Sequence, residues 1–450
     1  MPVTAFPGTA LPKIAQSNHQ SDHLLSPLPV EVLMSAQTAE LPRPLEGITV
    51  IDLTIALAGP YATLLLSGLG ARVIKVENPR GGDRVRNNAP YFGREGLTMQ
   101  RHHDDDISLG TLERTRGKES VTLDLKHPAG REVFADLVKQ ADIVVENYSR
   151  GTADRLGVGY AAAAEINPRI VYCSISGFGQ AGEPGTGKAM DAIVQALSGT
   201  MMTSGSPGDP PVRVGFPIGD LSAPLYAVIG VLGALRQAEA TGIGQHVDVS
   251  MLGSLTALVA GEQSHLLTRL GLSGRNGRFM PRLAPFGVFE TADGWVAVCA
   301  PEDKFARGVL TALGRPELLT DGRFTTRDAR VAHADEFHAL IEEWSRKHPQ
   351  DRVIAVLEAH GVPCAPVREP AEAVRDASLL SRGDTVALHH PAYGTADGLI
   401  GSGMPVHMSR SRTDFADGVP HLGEDSRLVY RELLGYSAER IDGLVADGAI

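Results

Sequence analysis

Asp220 is the residue with the clearest chemical use. It is the lone acid in the run V-R-V-G-F-P-I-G-D-L-S-A-P-L-Y-A-V-I-G-V-L-G-A-L, Val212 to Leu235. Nearly every other residue there is apolar or small. Gly215 and Gly219 precede it and Pro217 stiffens the approach. Tyr226 to Leu235 follows as an apolar segment expected to be a buried helix. A carboxylate on a glycine-lined turn at the head of such a helix is placed to meet a substrate. The same place suits an N-cap, where an aspartate accepts from free backbone N–H groups. The stretch by itself leaves both readings open.

At its ordinary pKa of about 3.9 a carboxylate is ionised at neutral pH. It is then a nucleophile without a helper, whereas serine needs a base beside it. The chain has no G-x-S-x-G elbow. A helix N-terminus behind Asp220 is expected to favour the ionised form further. Any oxyanion formed by its attack needs backbone N–H donors, and Gly215, Gly219 and Gly271 to Gly277 are candidates. His102 and His103 beside Asp104, Asp105 and Asp106 have metal-ligand types. Adjacent residues rarely converge on one ion, so this run is expected as a polar, solvated loop and no metal is expected.

The elements that must hold Asp220 follow an alternating pattern. Ile48 to Leu53 is expected as a buried strand, Thr54 to Pro60 as a turn, Tyr61 to Leu69 as a helix and Ala71 to Glu77 as a second strand. That is a β-α-β unit, the start of a parallel sheet. The turn Ala56 to Pro60 lacks the three spaced glycines of a dinucleotide fingerprint, so NAD is not indicated. Pro79 to Leu109 is polar and irregular. Strands are expected at Ser120 to Leu125, Asp142 to Glu146, Ile170 to Ile175 and His246 to Ser250. Helices are expected at Ala129 to Gln140, Tyr160 to Ile166 and Ala192 to Leu197, with another from Met251. The expectation is a doubly wound, Rossmann-like α/β layer, whose ligands sit beyond the carboxyl ends of the strands.

Composition shifts near Gly271. Residues 266–285 read as a linker or lid rich in Gly, Arg and Pro. Residues 286–378 read as a smaller α+β domain opening on the hairpin Phe286 to Ala300, and 379–450 as a segment returning to the large domain of 45–265. Residues 1–44 are rich in Pro, Ser, Thr, Ala and Gln without periodicity and read as a disordered lead.

The 450 residues carry a net charge of -11 with no basic block, which argues against nucleic acid as a partner. No uninterrupted apolar run reaches membrane-spanning length, so no membrane partner is expected. The three cysteines, Cys173, Cys299 and Cys364, have no metal or disulfide spacing and suit a reducing compartment, expected to be the cytoplasm.

The order of short motifs resembles the family III CoA-transferases, the group containing formyl-CoA:oxalate and carnitine CoA-transferases. The matching stretches are L-E-G-I-T-V-I-D-L-T (Leu45 to Thr54), A-G-P (Ala58 to Pro60) and G-A-R-V-I-K-V-E (Gly70 to Glu77). They continue with S-V-T-L-D-L-K (Ser120 to Lys126), V-V-E-N-Y (Val144 to Tyr148), R-L-G (Arg155 to Gly157) and S-G-F-G (Ser176 to Gly179). I-G-D (Ile218 to Asp220) and T-G-I-G-Q-H-V-D-V-S-M (Thr241 to Met251) complete the set. The resemblance implies a large α/β domain, a small domain and two chains interlocked as a homodimer. It places Asp220 on the catalytic aspartate. It places Ala58, Leu123, Asp124, Leu125, Lys126, Asn147, Tyr148, Arg155, Lys188, Ala189, Met190 and Asp191 on coenzyme A contacts. Lys126, Arg155 and Lys188 are the candidates for its phosphates. The implied partners are an acyl-CoA donor and a carboxylic acid acceptor, with no cofactor besides coenzyme A.

Two departures bear on specificity. Leu57 stands where the oxalate enzymes of the family have a Gln, and Asn78 where they have an Arg. Leu57 and Phe216 point to an acceptor less polar than oxalate. The α-methylacyl-CoA racemases of the same fold are the alternative. They carry a His where Met190 stands, and a thioether cannot carry a proton at neutral pH.

Overall fold

The computed structural model describes residues 41–181 and 189–450. Most of the expected disordered lead and Lys188 lie outside these residues. The large α/β part runs in chain order as β1 (Thr49–Asp52), α1 (Ala58–Gly68) and β2 (Arg72–Glu77). Then come β3 (Tyr91–Gly93), β4 (Gly96–Thr98), β5 (Ile107–Ser108), α2 (Leu109–Arg114) and β6 (Glu119–Thr122). They are followed by α3 (Pro128–Lys139), β7 (Ile143–Glu146), α4 (Thr152–Leu156), α5 (Tyr160–Ile166) and β8 (Val171–Ser176). The last are α6 (Asp191–Leu197), α7 (Ile218–Thr241), β9 (His246–Ser250) and α8 (Met251–Gly261).

The central sheet has the order β6-β2-β1-β7-β8-β9, and every pairing in it is parallel. Counted by their order in the chain these strands read 3-2-1-4-5-6, with the reversal between β1 and β7. Strands covered on both faces are apolar throughout rather than alternating. V-I-D-L after Thr49 and I-V-V at β7 show this. Their side chains divide between two cores. Val50, Val145, Cys173 and Ile175 pack with α1 and α7 on one face. Ile51, Ile74, Val144 and Tyr172 pack with α3 and with Val429, Tyr430 and Ile441 of the C-terminal helices on the other. A third apolar cluster, from Phe289 to Val362, is built on the antiparallel strands β10 (Phe286–Glu290), β11 (Trp295–Cys299) and β12 (Cys364–Pro366).

Three elements differ from expectation. Residues 79–109 hold regular structure. Here β4-β3-β5 form a small antiparallel sheet, and Arg84–Asn87 is a 3-10 turn capped by the side chain of Asp83. Short strands with little apolar content leave a weak pattern, which is why the segment reads as irregular. His102 and His103 bond the two oxygens of Glu95 at 2.7 and 2.9 Å, and Asp106 accepts both of their backbone N–H groups.

Helix α1 starts at Ala58 rather than Tyr61, with Pro60 accommodated in its first turn. Helix α7 starts at Ile218 rather than Tyr226 and runs through Pro224. A proline lacks the N–H that would bond the carbonyl four residues back, here that of Asp220. The helix therefore tolerates it close to its start. The same helix is long and apolar enough to cross a membrane. One side of it, including Ala223, Ala227, Val231 and Ala234, is buried in the core with α1 and β8.

Beneath the β1–α1 turn lies a buried charge network. Lys118 Nζ bonds Asp52 Oδ2 at 3.0 Å, Thr63 Oγ1 at 2.7 Å and the Pro60 carbonyl at 2.9 Å. Lys75 Nζ pairs with Asp83 Oδ2 at 3.1 Å and donates to the Thr54 carbonyl at 2.9 Å. Burial opposes charge on Asp52, but Lys118 and Lys75 outweigh it and hold the carboxyl at about 2. Removing one partner of such a pair strands the other charge in the core. Lys118→Met is expected to cost about 3–5 kcal/mol in denaturant unfolding. The double replacement Asp52→Asn, Lys118→Met is expected to recover a large part of it. Strictly additive costs would show that the two groups are not coupled.

Candidate active site

The β1–β7 reversal opens a crevice at the carboxyl ends of the strands, where two chain segments leave in opposite directions. Asn147, the first residue after β7, bridges it. Its Oδ1 accepts from the Ile55 N–H at 2.8 Å, and its Nδ2 donates to the Ile55 carbonyl at 2.8 Å. The next residue, Ala56, has φ of 67°, a left-handed conformation that costs a non-glycine residue about 1 kcal/mol or more. Both of its backbone groups are held. Asp83 Oδ1 accepts its N–H at 2.9 Å, and Arg114 Nη1 donates to its carbonyl at 3.2 Å. A Cβ on Gly59 would stand 2.3 Å from Thr54 Cβ and 3.0 Å from Asn147 Cγ, so only glycine lets α1 begin here. Helix α1 has no side-chain cap, and its first N–H groups lie beside Leu57 and Ala58 at the crevice wall.

A cleft of about 850 Å³ results, lined by Ala56, Leu57 and Ala58, by Asn147, Tyr148 and Arg150, by Gly177 and Phe178, and by Ala189, Met190 and Asp191. Arg84, Asn88, Met251 and Asp220 complete its wall. Asp220 is the third residue of α7, inside its first turn. The cap is supplied from elsewhere. Asp191 Oδ1 accepts the Gly219 N–H at 2.8 Å and the Asp220 N–H at 3.4 Å. Gln195, one turn on along α6, donates to Asp191 Oδ2 at 2.7 Å and accepts from the Val214 N–H at 2.8 Å. These two residues fix the turn that delivers Asp220. Gly219 is a glycine because a Cβ there would come within 3.0 Å of Asp191 Oδ1.

This arrangement corrects two expectations. The Gly219 N–H is occupied by Asp191 and is not an oxyanion donor. The helix terminus does not keep Asp220 strongly acidic either. Burial, then the neighbouring Asp191 charge, raise its pKa to about 6 against the opposing pull of Arg114 and Arg84. The carboxyl is still mainly ionised at neutral pH.

The expected contact residues fall into two groups. Ala58, Asn147, Tyr148, Ala189, Met190 and Asp191 share the cleft with Asp220. Leu123, Asp124, Leu125 and Lys126 line a smaller cavity of about 190 Å³ together with Asn78 and Tyr148, so Tyr148 is a wall common to both. Arg155 lines neither; it is exposed and its Nη2 donates to Thr152 Oγ1 at 2.7 Å. Lys188 lies outside the described residues. Leu57 is in the cleft, whereas Phe216 is exposed and not part of its wall. Among the Gly271 to Gly277 stretch, Arg275 is buried and donates to the carbonyls of Asp209 and Met201, and the Gly277 N–H bonds the Gly205 carbonyl. That stretch is anchored on the 201–209 turn rather than on the cleft. Sequence reasoning passed over Arg84, Arg114 and Gln195. The spacing of Gln195 four residues after Asp191 was the one available signal, since it puts both on one helix face.

The model of CoA-transferase family III matches residues 45–426. Acetyl-CoA:oxalate CoA-transferase of Acetobacter aceti is 36% identical over 413 residues, covering 90% of this chain and 100% of that protein. Succinate–glutarate CoA-transferase of Agrobacterium fabrum is 34% identical over 393 residues, covering 87% of this chain and 96% of that protein. The crystal structure of a CAIB/BAIF family protein from Brucella suis superposes with a TM-score of 0.74 at 32% identity, over 87% of this chain and 100% of that one.

The electrostatics of Asp220 carry a stability signature. Its folded pKa lies above the unfolded value, so the folded state binds the proton more tightly. The stability this adds is complete below about pH 4 and is lost as pH rises through about 6. Asp220→Asn is therefore expected to stabilise the protein at pH 7, by the order of 1 kcal/mol, and to change little at pH 4. Thermal melts of both proteins across that range measure it. An equal shift at both pH values would mean that Asp220 carries no such strain.

Proposed function

The chain belongs to CoA-transferase family III and is a CoA-transferase, and from that premise we propose that Asp220 is the nucleophile that carries coenzyme A between two acids. The observation that supports this reading is one ionisable carboxylate, held on the first turn of α7 in the wall of the strand-end cleft, with no protein donor bonded to it among the described residues. The carboxylate attacks the carbonyl of the donor thioester. The C–S bond breaks, coenzyme A leaves as thiolate, and an aspartyl–acyl anhydride remains. The thiolate attacks the aspartyl carbonyl of that anhydride, which expels the donor acid as its carboxylate and leaves an aspartyl-CoA thioester. The acceptor carboxylate then displaces the thiolate from Asp220 to form a second anhydride. The thiolate finally takes the acceptor acyl group and frees Asp220.

Each addition puts charge on a carbonyl oxygen. The uncapped N–H groups at the start of α1, beside Leu57 and Ala58, are the donors best sited to receive it. Coenzyme A is long enough to occupy both cavities. We assign its thiol end to the Asp220 cleft and its nucleotide end to the cavity of Leu123, Asp124, Leu125 and Lys126, with the chain passing Tyr148. Lys126, Arg155 and Lys188 remain the assigned phosphate contacts. A racemase would need an imidazole in the cleft; Met190 stands there, and no histidine lines the wall among the described residues.

The assembly we assign is an interlocked homodimer, with residues 45–265 as the coenzyme A domain, 286–378 as the small domain and 379–450 returning to the first. Its support is the outward face of α7. Leu225, Tyr226, Ile229 and Leu232 are exposed at helical spacing beside Ile193 and Leu197 of α6. An apolar face of that kind marks an interaction surface. The free thiols Cys173, Cys299 and Cys364 suit the cytoplasm.

Asp220→Ala is expected to abolish coenzyme A exchange between an acyl-CoA and a free acid while the circular dichroism spectrum is unchanged; retained exchange would remove Asp220 from the mechanism. The nucleophile must be ionised, so kcat/KM is expected to fall on the acid side with an apparent pKa of about 6. Asp191→Asn keeps an acceptor for the Gly219 N–H but removes the neighbouring charge, and it is expected to move that limb to lower pH. A pH profile of both proteins decides it, and a limb that does not move would separate Asp191 from the titration.

A further inference from the structure

Two arginines stand in the 3-10 turn Arg84–Asn87 beside the cleft and differ in what they hold. Arg86 is spent. It makes two bonds to the Glu77 carboxylate, at 2.8 and 2.7 Å, and one to the Pro420 carbonyl at 3.1 Å. Arg84, two residues earlier in the same 3-10 turn, faces the cleft of Asp220 and makes no hydrogen bond or ion pair with any described residue. Its backbone is nevertheless fixed, because Asp83 caps the turn through the Val85 N–H at 3.0 Å and is itself buried on Lys75. A free guanidinium on a rigid base is what a binding site for an anion requires.

Arg114 is the second such group. It is partly buried, and burial pushes its pKa down. Its one protein hydrogen bond among the described residues is the 3.2 Å contact to the Ala56 carbonyl, and no carboxylate pairs with it. Arg116, the next arginine along, has Glu113 and the Ser402 carbonyl. Gly110 gives Arg114 its room, since a Cβ there would stand 2.9 Å from Nη1. Arg114 lines a neighbouring cavity that shares Asn88 with the wall of the Asp220 cleft, and its charge, like that of Arg84, acts on Asp220. A desolvated cation without a counter-ion is costly unless a ligand supplies one. The cleft already holds two acids, Asp191 and Asp220, so an anionic acceptor needs a compensating charge to enter.

We propose that Arg84 and Arg114 bind a second carboxylate of the acceptor while its first reacts at Asp220, and that Leu57, on the wall of the same cleft as Arg84 and Asp220, selects diacids with methylene groups separating the two ends. Oxalate has no such spacer, and a monocarboxylic acid leaves the guanidinium groups unpaired. This rests on the transferase reading of Asp220.

The test uses the full-length enzyme with acetyl-CoA as donor, so that the donor carries no second carboxylate. Acceptors are glutarate, succinate, oxalate and butyrate, compared in wild type, Arg84→Met and Arg114→Met. The wild type is expected to prefer glutarate or succinate to both oxalate and butyrate. In Arg84→Met, whose side chain is exposed and whose fold is safe, the ratio of kcat/KM for glutarate over butyrate is expected to fall roughly ten- to a hundredfold, through KM, with the KM for acetyl-CoA unchanged. The acid limb of the rate profile is expected to move to higher pH, because one of the charges that lowers the Asp220 pKa is gone. An unchanged ratio in both variants overturns the proposal. So does a raised KM for acetyl-CoA with the ratio constant, which would assign Arg84 to coenzyme A phosphate. Hydroxylamine trapping at Asp220 with acetyl-CoA alone separates the two levels. Labelled wild type with an unchanged ratio sinks only the diacid proposal; unlabelled wild type sinks the transferase reading and this inference with it.

Discussion

The Lys118–Asp52 pair and its neighbours fix the turn on which the site is built. Two lysines and two aspartates are buried under seven residues of chain, and each of them also bonds the backbone or a threonine of the surrounding turn. Hydrophobic packing alone does not position a loop to within a few tenths of an ångström, because apolar contacts have no direction. Hydrogen bonds from a desolvated ammonium do. The cost of burying these charges is large, and a core of well-packed apolar residues would be about as stable. What the charges supply is a defined path for Thr54 to Ala58, including a left-handed Ala56 that a looser support would let relax. The mouth of the cleft, the uncapped start of α1 and the place of Leu57 all depend on that path.

The opposite wall is built by the same means from another direction. Asp191 and Gln195, on a short helix, hold the approach to α7 through three backbone N–H groups. Asn147 ties the end of β7 to the end of β1. Asp220 is thus held by parts of the chain that are far apart in sequence, and the strand order brings them together. A parallel sheet whose order reverses between β1 and β7 leaves a crevice there regardless of side chains. Side chains then decide what the crevice binds.

Much of this was legible in the sequence. The apolar strands and the β-α alternation gave the parallel layer, because strands buried on both faces carry an unbroken apolar signal. The motif order picked out Asp220 and its companions Asn147, Tyr148 and Asp191. The errors lie where local rules were overridden by distant contacts. Helix α7 begins at Ile218 rather than Tyr226, running through Pro224 because the lost bond falls in the first turns. The 79–109 segment looked irregular, since strands of two or three residues have no period to read. The stretch around Asp220 left cap and substrate group both open, and the cap is Asp191, from 29 residues away. Arg84 and Arg114 carried no signal at all. An arginine's type says that it is charged, and only its neighbours say whether that charge is spent, as in Arg86 and Arg116, or left for a ligand.

The raised pKa of Asp220 follows from the way the turn is held, and it suits the chemistry. The carboxylate that caps α7 also stands next to Asp220, so the clamp that positions Asp220 makes its ionisation harder. A more basic carboxylate is a better nucleophile toward a thioester. With a pKa of about 6 it is still about nine-tenths ionised at pH 7. Arg84 and Arg114 set the upper limit of the effect by pulling the pKa back.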